Sequence, residues 1–340
     1  MVTPVIQSNV SLTAFNTFGI AARARSYVEI HDVKQMCDVL RSRDPQDEIL
    51  ILGGGSNLLL TQDFPGLVLR NKLLGKKIIA QDANATYVEA AAGENWHDFV
   101  RWTLDQNLAG LENLSLIPGT VGAAPIQNIG AYGVEMKDTF QSLQALDISD
   151  NFVRQFNLEH CKFSYRDSVF KRELKGRYVI VSVTFRLPRT TALLLDYGDV
   201  RAELQRMNCA APNAQTVSEA VCNIRRRKLP DPAVIGNAGS FFQNPIVLPK
   251  FLADLELTHG KIPHFPAPNG TVKLAAAWLI EQCGWKGKTL GRAGVHEHHA
   301  LVLVNRGGAT GLEILNLAHA IQDSVLEKFG IKLQPEPVIV

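Results

Sequence analysis

The chain has 340 residues, of which 46% are hydrophobic and 20% charged, and its formal net charge is +2. That length accommodates two or three domains with sizeable cores. The near-neutral balance excludes a dedicated nucleic-acid binder, which carries a strong basic excess, but leaves small anionic ligands open.

Apolar alternation predicts a strand at 27–30, after which Asp32 caps a helix with Val33, Met36, Cys37 and Leu40 on one face. A second strand at 48–52 runs straight into Gly53-Gly-Gly-Ser-Asn57. Strand, helix, strand and glycine turn make an α/β opening. Strands are expected at 67–70, 77–80 and 87–92, then a helix at 95–106 with Trp96, Phe99, Val100 and Thr103 at helical spacing. Further strands follow at 143–148, 152–156 and 178–187, closed by the connector Pro188-Arg-Thr-Thr191. The remainder reads as helix-rich, with helices at 217–227, 272–283 and 312–328. Leu274, Ala275, Trp278, Leu279 and Cys283 form the stripe of the second. Ile314, Leu317, Ala318, Ile321 and Val325 form that of the third, behind a capping box of Thr310 and Glu313. Between them 300–304 reads as a buried strand ending in a turn at 305–308. The break at 190–215 is the expected domain boundary.

Cys37, Cys161, Cys209, Cys222 and Cys283 are odd in number and widely spaced, with no C-x-x-C pair. They read as reduced thiols, not as a disulfide framework or a zinc site. The amino terminus shows no cationic region followed by an apolar core, and no apolar run approaches the roughly 20 residues that span a bilayer. The chain is expected to be soluble and cytoplasmic, with no membrane or nucleic-acid partner.

The most informative stretch is Ile117-Pro-Gly-Thr-Val-Gly-Ala-Ala-Pro-Ile-Gln-Asn-Ile-Gly-Ala-Tyr-Gly133. It contains glycines and prolines among apolar residues, and nothing charged. Such a segment belongs inside, yet its turns leave N–H groups outside any ladder, and those donors need partners. A flat, uncharged, hydrogen-bonding ring such as a flavin would satisfy them; a buried turn between strands would also. Gly53-Gly-Gly-Ser-Asn57 follows a strand and can form a concave nest for a phosphate or pyrophosphate. It lacks the third glycine of the Rossmann pattern, since position 58 is Leu58, and no Gly-Lys-Ser/Thr follows.

The remaining motifs are weaker. Lys286-Gly-Lys-Thr289 fails as a Walker motif because Gln282 stands where its first glycine belongs. His296-Glu-His-His299 lacks the helical histidine spacing of a zinc site and no second ligand cluster accompanies it, so no metal is expected. Arg225-Arg-Arg-Lys228 ends a helix, where cations complement the dipole; a clamp on a phosphorylated ligand is compatible with that, with Lys228 nearest the following turn. Arg166, in Phe163-Ser-Tyr-Arg-Asp-Ser168, is either half of an exposed Arg–Asp pair or a working cation. Ser240, among small residues before Phe241 and Phe242, is an ordinary turn hydroxyl or an active one, without the elbow of a hydrolase.

In this order along almost the whole chain, these segments closely resemble the UDP-N-acetylenolpyruvoylglucosamine reductase family. The resemblance is carried by Asn16-Thr-Phe-Gly19, the 53–57 turn, Gly93-Glu-Asn-Trp96, Gly110-Leu-Glu-Asn113 and the 117–133 segment. It continues through Tyr165-Arg-Asp-Ser168, Tyr197-Gly-Asp199, Lys228-Leu-Pro-Asp-Pro232, Gly239-Ser-Phe-Phe242 and Pro335-Glu336. Tyr197 lies in a loop resembling the long form of the family. The resemblance implies an α+β fold: a two-part FAD-binding domain of the vanillyl-alcohol oxidase (PCMH) type, at 1–74 and 75–212, and a C-terminal α/β substrate-binding domain at 213–332. A final strand at 333–340 would carry a catalytic glutamate.

By the same resemblance, Gly53, Gly54, Gly55, Ser56 and Asn57 would hold the pyrophosphate of non-covalent FAD. Pro118, Gly119, Gly122, Gln127, Asn128, Gly130, Ala131, Tyr132 and Gly133 would line its ring. NADPH is the implied co-substrate, and the implied activity is reduction of an enolpyruvyl sugar nucleotide to UDP-N-acetylmuramate for peptidoglycan synthesis. Arg166 would stabilise the enolate, Glu336 would help to orient it, and Ser240 would supply the proton. Tyr197, Lys228, Asn244 and His299 would bind the substrate, and a monomer is expected. Three departures stand out: Pro337 after the catalytic glutamate, His299 where glutamine is common, and Ala123-Ala124 where some members have serines. A flavin oxidase of the same fold and a non-catalytic flavin or nucleotide-sugar binder are the competing readings. Neither glycine-rich segment holds a histidine for covalent flavin, and the triad of Arg166, Ser240 and Glu336 argues against a mere binder.

Overall fold

A computed structural model describes residues 5–340. Its contacts divide the chain into two compact units. The first holds residues 24–54 and 64–227 with the amino-terminal residues; the second holds 11–23, 55–63 and 228–340.

In the first unit the expected α/β opening forms a sheet in the order Gln7–Ser11, Arg23–Ile30, Phe64–Asn71, Ile49–Leu52. Phe64–Asn71 runs parallel to both of its neighbours, with Val28 opposite Leu69 and Leu50 opposite Val68. Helix Val33–Ser42 supplies the crossover. Asp32 caps it by accepting from the Gln35 N–H at 2.8 Å, and Met36, Val39 and Leu40 pack with Ile30, Leu67 and Leu69. A second sheet is antiparallel, in the order Val153–Asn157, Phe140–Asp147, Tyr178–Pro188, Ala85–Ala91, Lys76–Gln81. Its central strand, Tyr178–Pro188, is apolar along most of its length and is correspondingly buried. Helix Trp96–Asp105 is capped by Asn95 and buries Trp96, Phe99, Val100, Thr103 and Leu104, the face its spacing predicts.

Helix Ala214–Lys228 is longer than the 217–227 expectation and stays with this unit. The physical reason is its apolar face: Val217, Ala220, Val221 and Ile224 close a small core with Val200 and Leu204 of helix Val200–Arg206. The division between units therefore falls after Arg227.

The second unit is built on an antiparallel sheet in the order Gly236–Ser240, Val302–Asn305, Ala293–Val295, Thr289–Leu290. Helix Gly311–Phe329 buries Ile314, Leu317, Ala318, Ile321 and Val325. It starts at the expected capping box, where the Glu313 N–H donates to Thr310 Oγ1 at 3.2 Å and Glu313 Oε2 accepts from the Thr310 N–H at 2.8 Å. Two expectations change. The helix read at 272–283 begins only at Ala276, because Val272–Leu274 pairs as a strand with Ile246–Val247 and His264–Pro266. Helix Pro249–His259 carries no sequence stripe, since Leu252 is its buried residue; Pro249 at its first turn is the signal it does carry. The Asn16-Thr-Phe-Gly19 motif belongs here: Asn16 bonds both to Leu12 O and to Ile20 O, and the Asn237 N–H donates to Thr17 O at 3.0 Å. Among the described residues no helix is long and apolar enough to cross a membrane.

Candidate active site

In the first unit the two glycine-rich segments meet. Strand Ile49–Leu52 delivers Gly53 and Gly54 onto Gly119 and Thr120, so closely that a Cβ on Gly53 would stand 2.6 Å from Thr120 Oγ1 and one on Gly54 3.0 Å from Gly119 Cα. The 117–133 segment is largely a 3-10 helix, Val121–Gln127, and meets more of its own needs than its sequence suggests. The N–H groups of Val121 and Gly122 donate to Glu94 O and Ala92 O, and the Gly119 carbonyl accepts from Trp96. The donors left for a ligand lie in the other segment: the N–H groups of Gly54, Gly55 and Ser56 find no acceptor among the described residues. Three successive N–H groups of one glycine-rich turn fit a pyrophosphate.

Gly130–Ala131 and Val134–Glu135 form a hairpin whose turn, Tyr132 and Gly133, has φ of 49° and 83°. Two positive φ values are the demand of a type I′ turn, and Tyr132 accepts a conformation that Asn or Gly usually fills. Asn128, which the resemblance assigns to the cofactor side, has its side chain engaged within the protein. Its Nδ2 donates to Glu135 Oε2 and to Ser164 O, both at 3.0 Å, and its Oδ1 accepts from the Lys137 N–H at 3.0 Å.

That same Asn128 bond steadies the turn carrying Arg166. Ser164 and Asp167 bridge each other's backbones, and Arg166 between them has φ of 55°. Its Nη2 donates to Gly130 O at 2.7 Å, and a Cβ on Gly130 would stand 3.0 Å from Nη1. Gly130 therefore serves the guanidinium's approach. Asp167 pairs with Arg172.

Of the four cations at 225–228, Arg225 turns inward while Arg226, Arg227 and Lys228 are exposed. Its Nε donates to Leu116 O at 3.2 Å. Burial, and after it the neighbouring charge of Arg166, act to lower its pKa. Arg227 instead pairs with Glu203 at 2.9 Å. The helix-end reading of the run held for its exposed members and missed Arg225, whose depth depends on packing against another element.

In the second unit Ser240 ends strand Gly236–Ser240 opposite Val302. Glu336 arrives beside it from the far end of the chain. Phe242 and Pro335 are bridge partners, and the Glu336 N–H donates to Phe241 O at 2.8 Å. Pro337 leaves this pairing intact: the Val338 N–H donates to Asn57 O at 2.9 Å, and Val338–Ile339 runs parallel to Leu58–Leu59. Asn57 Nδ2 donates to the Glu336 carbonyl at 3.2 Å.

Asn244 Oδ1 accepts from the Ala276 N–H at 2.9 Å, capping helix Ala276–Gln282. Lys228 opens this unit on an exposed position. His299 is half-buried, and its Nδ1 has no hydrogen-bond partner. Burial, then the charges of His296 and Lys228, hold its pKa below the usual histidine value.

A glycine-rich turn after a strand of an α+β fold suits a pyrophosphate, and the protein is a flavin-binding oxidoreductase with FAD as its cofactor. The pattern of the FAD binding domain family matches residues 24–154, and that of the UDP-N-acetylenolpyruvoylglucosamine reductase C-terminal domain matches residues 231–340. The chain is 52% identical over 333 residues to the UDP-N-acetylenolpyruvoylglucosamine reductase of Burkholderia mallei (strain NCTC 10229), covering 96% of this chain and 95% of that one. It is 53% identical over 332 residues to the same-named protein of Burkholderia lata, with the same coverage. The crystal structure of UDP-N-acetylenolpyruvylglucosamine reductase from Thermus caldophilus shares the fold, with a TM-score of 0.67 at 21% identity over 99% of both chains. The chain belongs to the UDP-N-acetylenolpyruvoylglucosamine reductase family.

Proposed function

We propose that the protein reduces UDP-N-acetyl-3-O-(1-carboxyvinyl)-glucosamine to UDP-N-acetylmuramate, a peptidoglycan precursor, at the expense of NADPH. The observation that carries this reading is the pairing of Glu336 with Phe241, next to Ser240, in a chain with a free-donor glycine turn for FAD.

FAD, when bound, would supply the hydride chemistry, with NADPH as the source of electrons. The N–H groups of Gly54, Gly55 and Ser56 would hold its pyrophosphate, and the 117–133 segment with Tyr132 and Gly133 would line its ring. The substrate's double bond accepts the hydride at its terminal carbon, and negative charge develops on the neighbouring carbon and its carboxylate. Arg166 offers that charge a fixed, planar cation whose position Gly130 and the 164–167 turn set in advance. Glu336, as the protonated acid, orients the carboxylate. Ser240 passes its proton to the carbanionic carbon, completing the lactyl ether. A serine hydroxyl is a weak acid, so this transfer requires an acceptor as basic as an enolate with a cation nearby. Tyr197, Lys228, Asn244 and His299 bind the uridine diphosphate and sugar; the amide donors of Asn244 are left for this by its helix-capping oxygen.

The test is anaerobic. NADPH should bleach the visible flavin band of the purified protein. The enolpyruvyl sugar nucleotide should then restore it with stoichiometric UDP-N-acetylmuramate. Return of colour without that product, or no bleaching, rejects the assignment.

A further inference from the structure

The segment 189–199 crosses from strand Tyr178–Pro188 to helix Val200–Arg206 as a strap without regular structure. Two of its side chains, Leu193 and Leu195, pack on the Val200, Leu204 and Val217 core, as does the ring of Tyr132. The strap lies directly over the hairpin turn: a Cβ on Gly133 would stand 2.6 Å from Leu194 Cδ2 and 3.2 Å from Tyr197 Cβ. Glycine at 133 thus does two things at once, accepting a φ of 83° and leaving room for the strap.

Packing alone would let this strap slide, because leucine contacts have no direction. Direction comes from Asn113, which is 1% exposed. One amide group reaches both partners: Nδ2 donates to Tyr132 O at 3.0 Å and to Leu194 O at 2.9 Å. Both of its N–H bonds are used, one on the cofactor-side turn and one on the strap. No other residue type of this size presents two donors from one atom and none from the other.

We propose that Asn113 is a positioning residue for the sugar nucleotide: by tying Leu194 to Tyr132 it holds the strap, and with it Tyr197, at a fixed height above the turn. This rests on the reading of Tyr197 as a ligand to the uridine diphosphate. If the strap is docked only a fraction of the time, the apparent affinity falls by that fraction, while the docked complex turns over as before. Asn113 therefore acts on KM for the sugar nucleotide and not on kcat, nor on the reaction with NADPH.

The experiment uses the flavin-loaded full chain. Asn113→Asp keeps the shape but offers no hydrogen to either carbonyl. It should raise the KM for the sugar nucleotide about tenfold for a strap docked about one-tenth of the time, and the rate of chymotryptic nicking at 193–197 should rise with it. The kcat should stay within about twofold and the KM for NADPH should not move. Leu194→Ala, an exposed-side truncation that leaves folding intact, should give a smaller rise in the same two quantities. An unchanged nicking rate in both variants overturns the proposal, because the strap is then held by something else. Faster nicking with an unchanged KM also overturns it. In that case Tyr197→Ala separates the two ideas: a raised KM leaves Tyr197 as a ligand and removes only Asn113, whereas an unchanged KM removes the Tyr197 reading itself.

Discussion

The carbonyl of Glu336 accepts from Asn57 Nδ2 at 3.2 Å, and two residues on, the Val338 N–H donates to the Asn57 carbonyl at 2.9 Å. One residue near the beginning of the fold thus fixes, by its side chain and its carbonyl, the backbone that bears the proposed acid near its end. Asn57→Asp would set a carboxylate against that carbonyl, costing about 1–3 kcal/mol. We expect kcat to fall about tenfold or more in the flavin-loaded protein, with reoxidation by the enolpyruvyl substrate losing more than reduction by NADPH, measured by single-turnover kinetics. Equal loss in both half-reactions would mark a general folding defect.

Ser240→Ala removes the proposed proton donor from an otherwise unchanged strand. Flavin reduction by NADPH should stay near normal, while reoxidation by the enolpyruvyl substrate slows by about 10²–10⁴-fold. Stopped-flow of both half-reactions separates the two.

Arg166→Lys exchanges a planar fork for a point charge and cannot reproduce the bond to Gly130 O along with a second contact. A loss of about 10²–10³-fold in turnover is expected. Turnover at the parent rate would remove Arg166 from the enolate.

Gly122→Ala would place a Cβ 2.4 Å from Ala92 Cβ and 3.0 Å from Ala92 O. Overpacking of this kind costs about 1–3 kcal/mol. Tm should drop by several degrees, and FAD should be lost more readily on gel filtration, since the whole 3-10 segment must shift.

His97 accepts the Leu116 N–H at Nδ1, 3.0 Å away, and burial, followed by the charge of Arg101, lowers its pKa from the ordinary 6.5. A histidine whose folded pKa lies below its unfolded one binds fewer protons when folded. Its contribution to stability is therefore complete above about pH 6.5 and is lost as the pH falls through that value toward the folded pKa. Tm should decline between pH 7 and pH 5. His97→Asn, whose Oδ1 can accept the same N–H without titrating, should decline less over that interval. Equal slopes would place the acid sensitivity elsewhere.

Elements with strong periodicity were legible from the sequence: helices Trp96–Asp105 and Gly311–Phe329 bury the faces their spacing marks. Helix Pro249–His259 was not, because it buries little and so leaves no stripe. The site divides in the same way. The 53–57 turn announces itself, since only a ligand or a tight turn demands such a run of small residues after a strand. Asn113 and Arg225 do not, although both stand inside segments already marked as informative. An asparagine bonded to two carbonyls far apart in sequence looks like any other asparagine. An arginine at a helix end reads as a solvated cation until another element covers it.

Periodicity marked the α/β opening and the amphipathic helices, and the order of short motifs carried a resemblance that implied the class of fold, the family and FAD, because motifs and periods depend on local backbone demands and on chain order. Tertiary structure alone decided that Asn128 braces the Arg166 turn, that Gly53 and Gly54 lie against Gly119 and Thr120, and that Glu336 pairs beside Ser240. Those are contacts between residues remote along the chain. Their formation rests on which backbones can approach closely enough to exchange hydrogen bonds, and no local pattern encodes that.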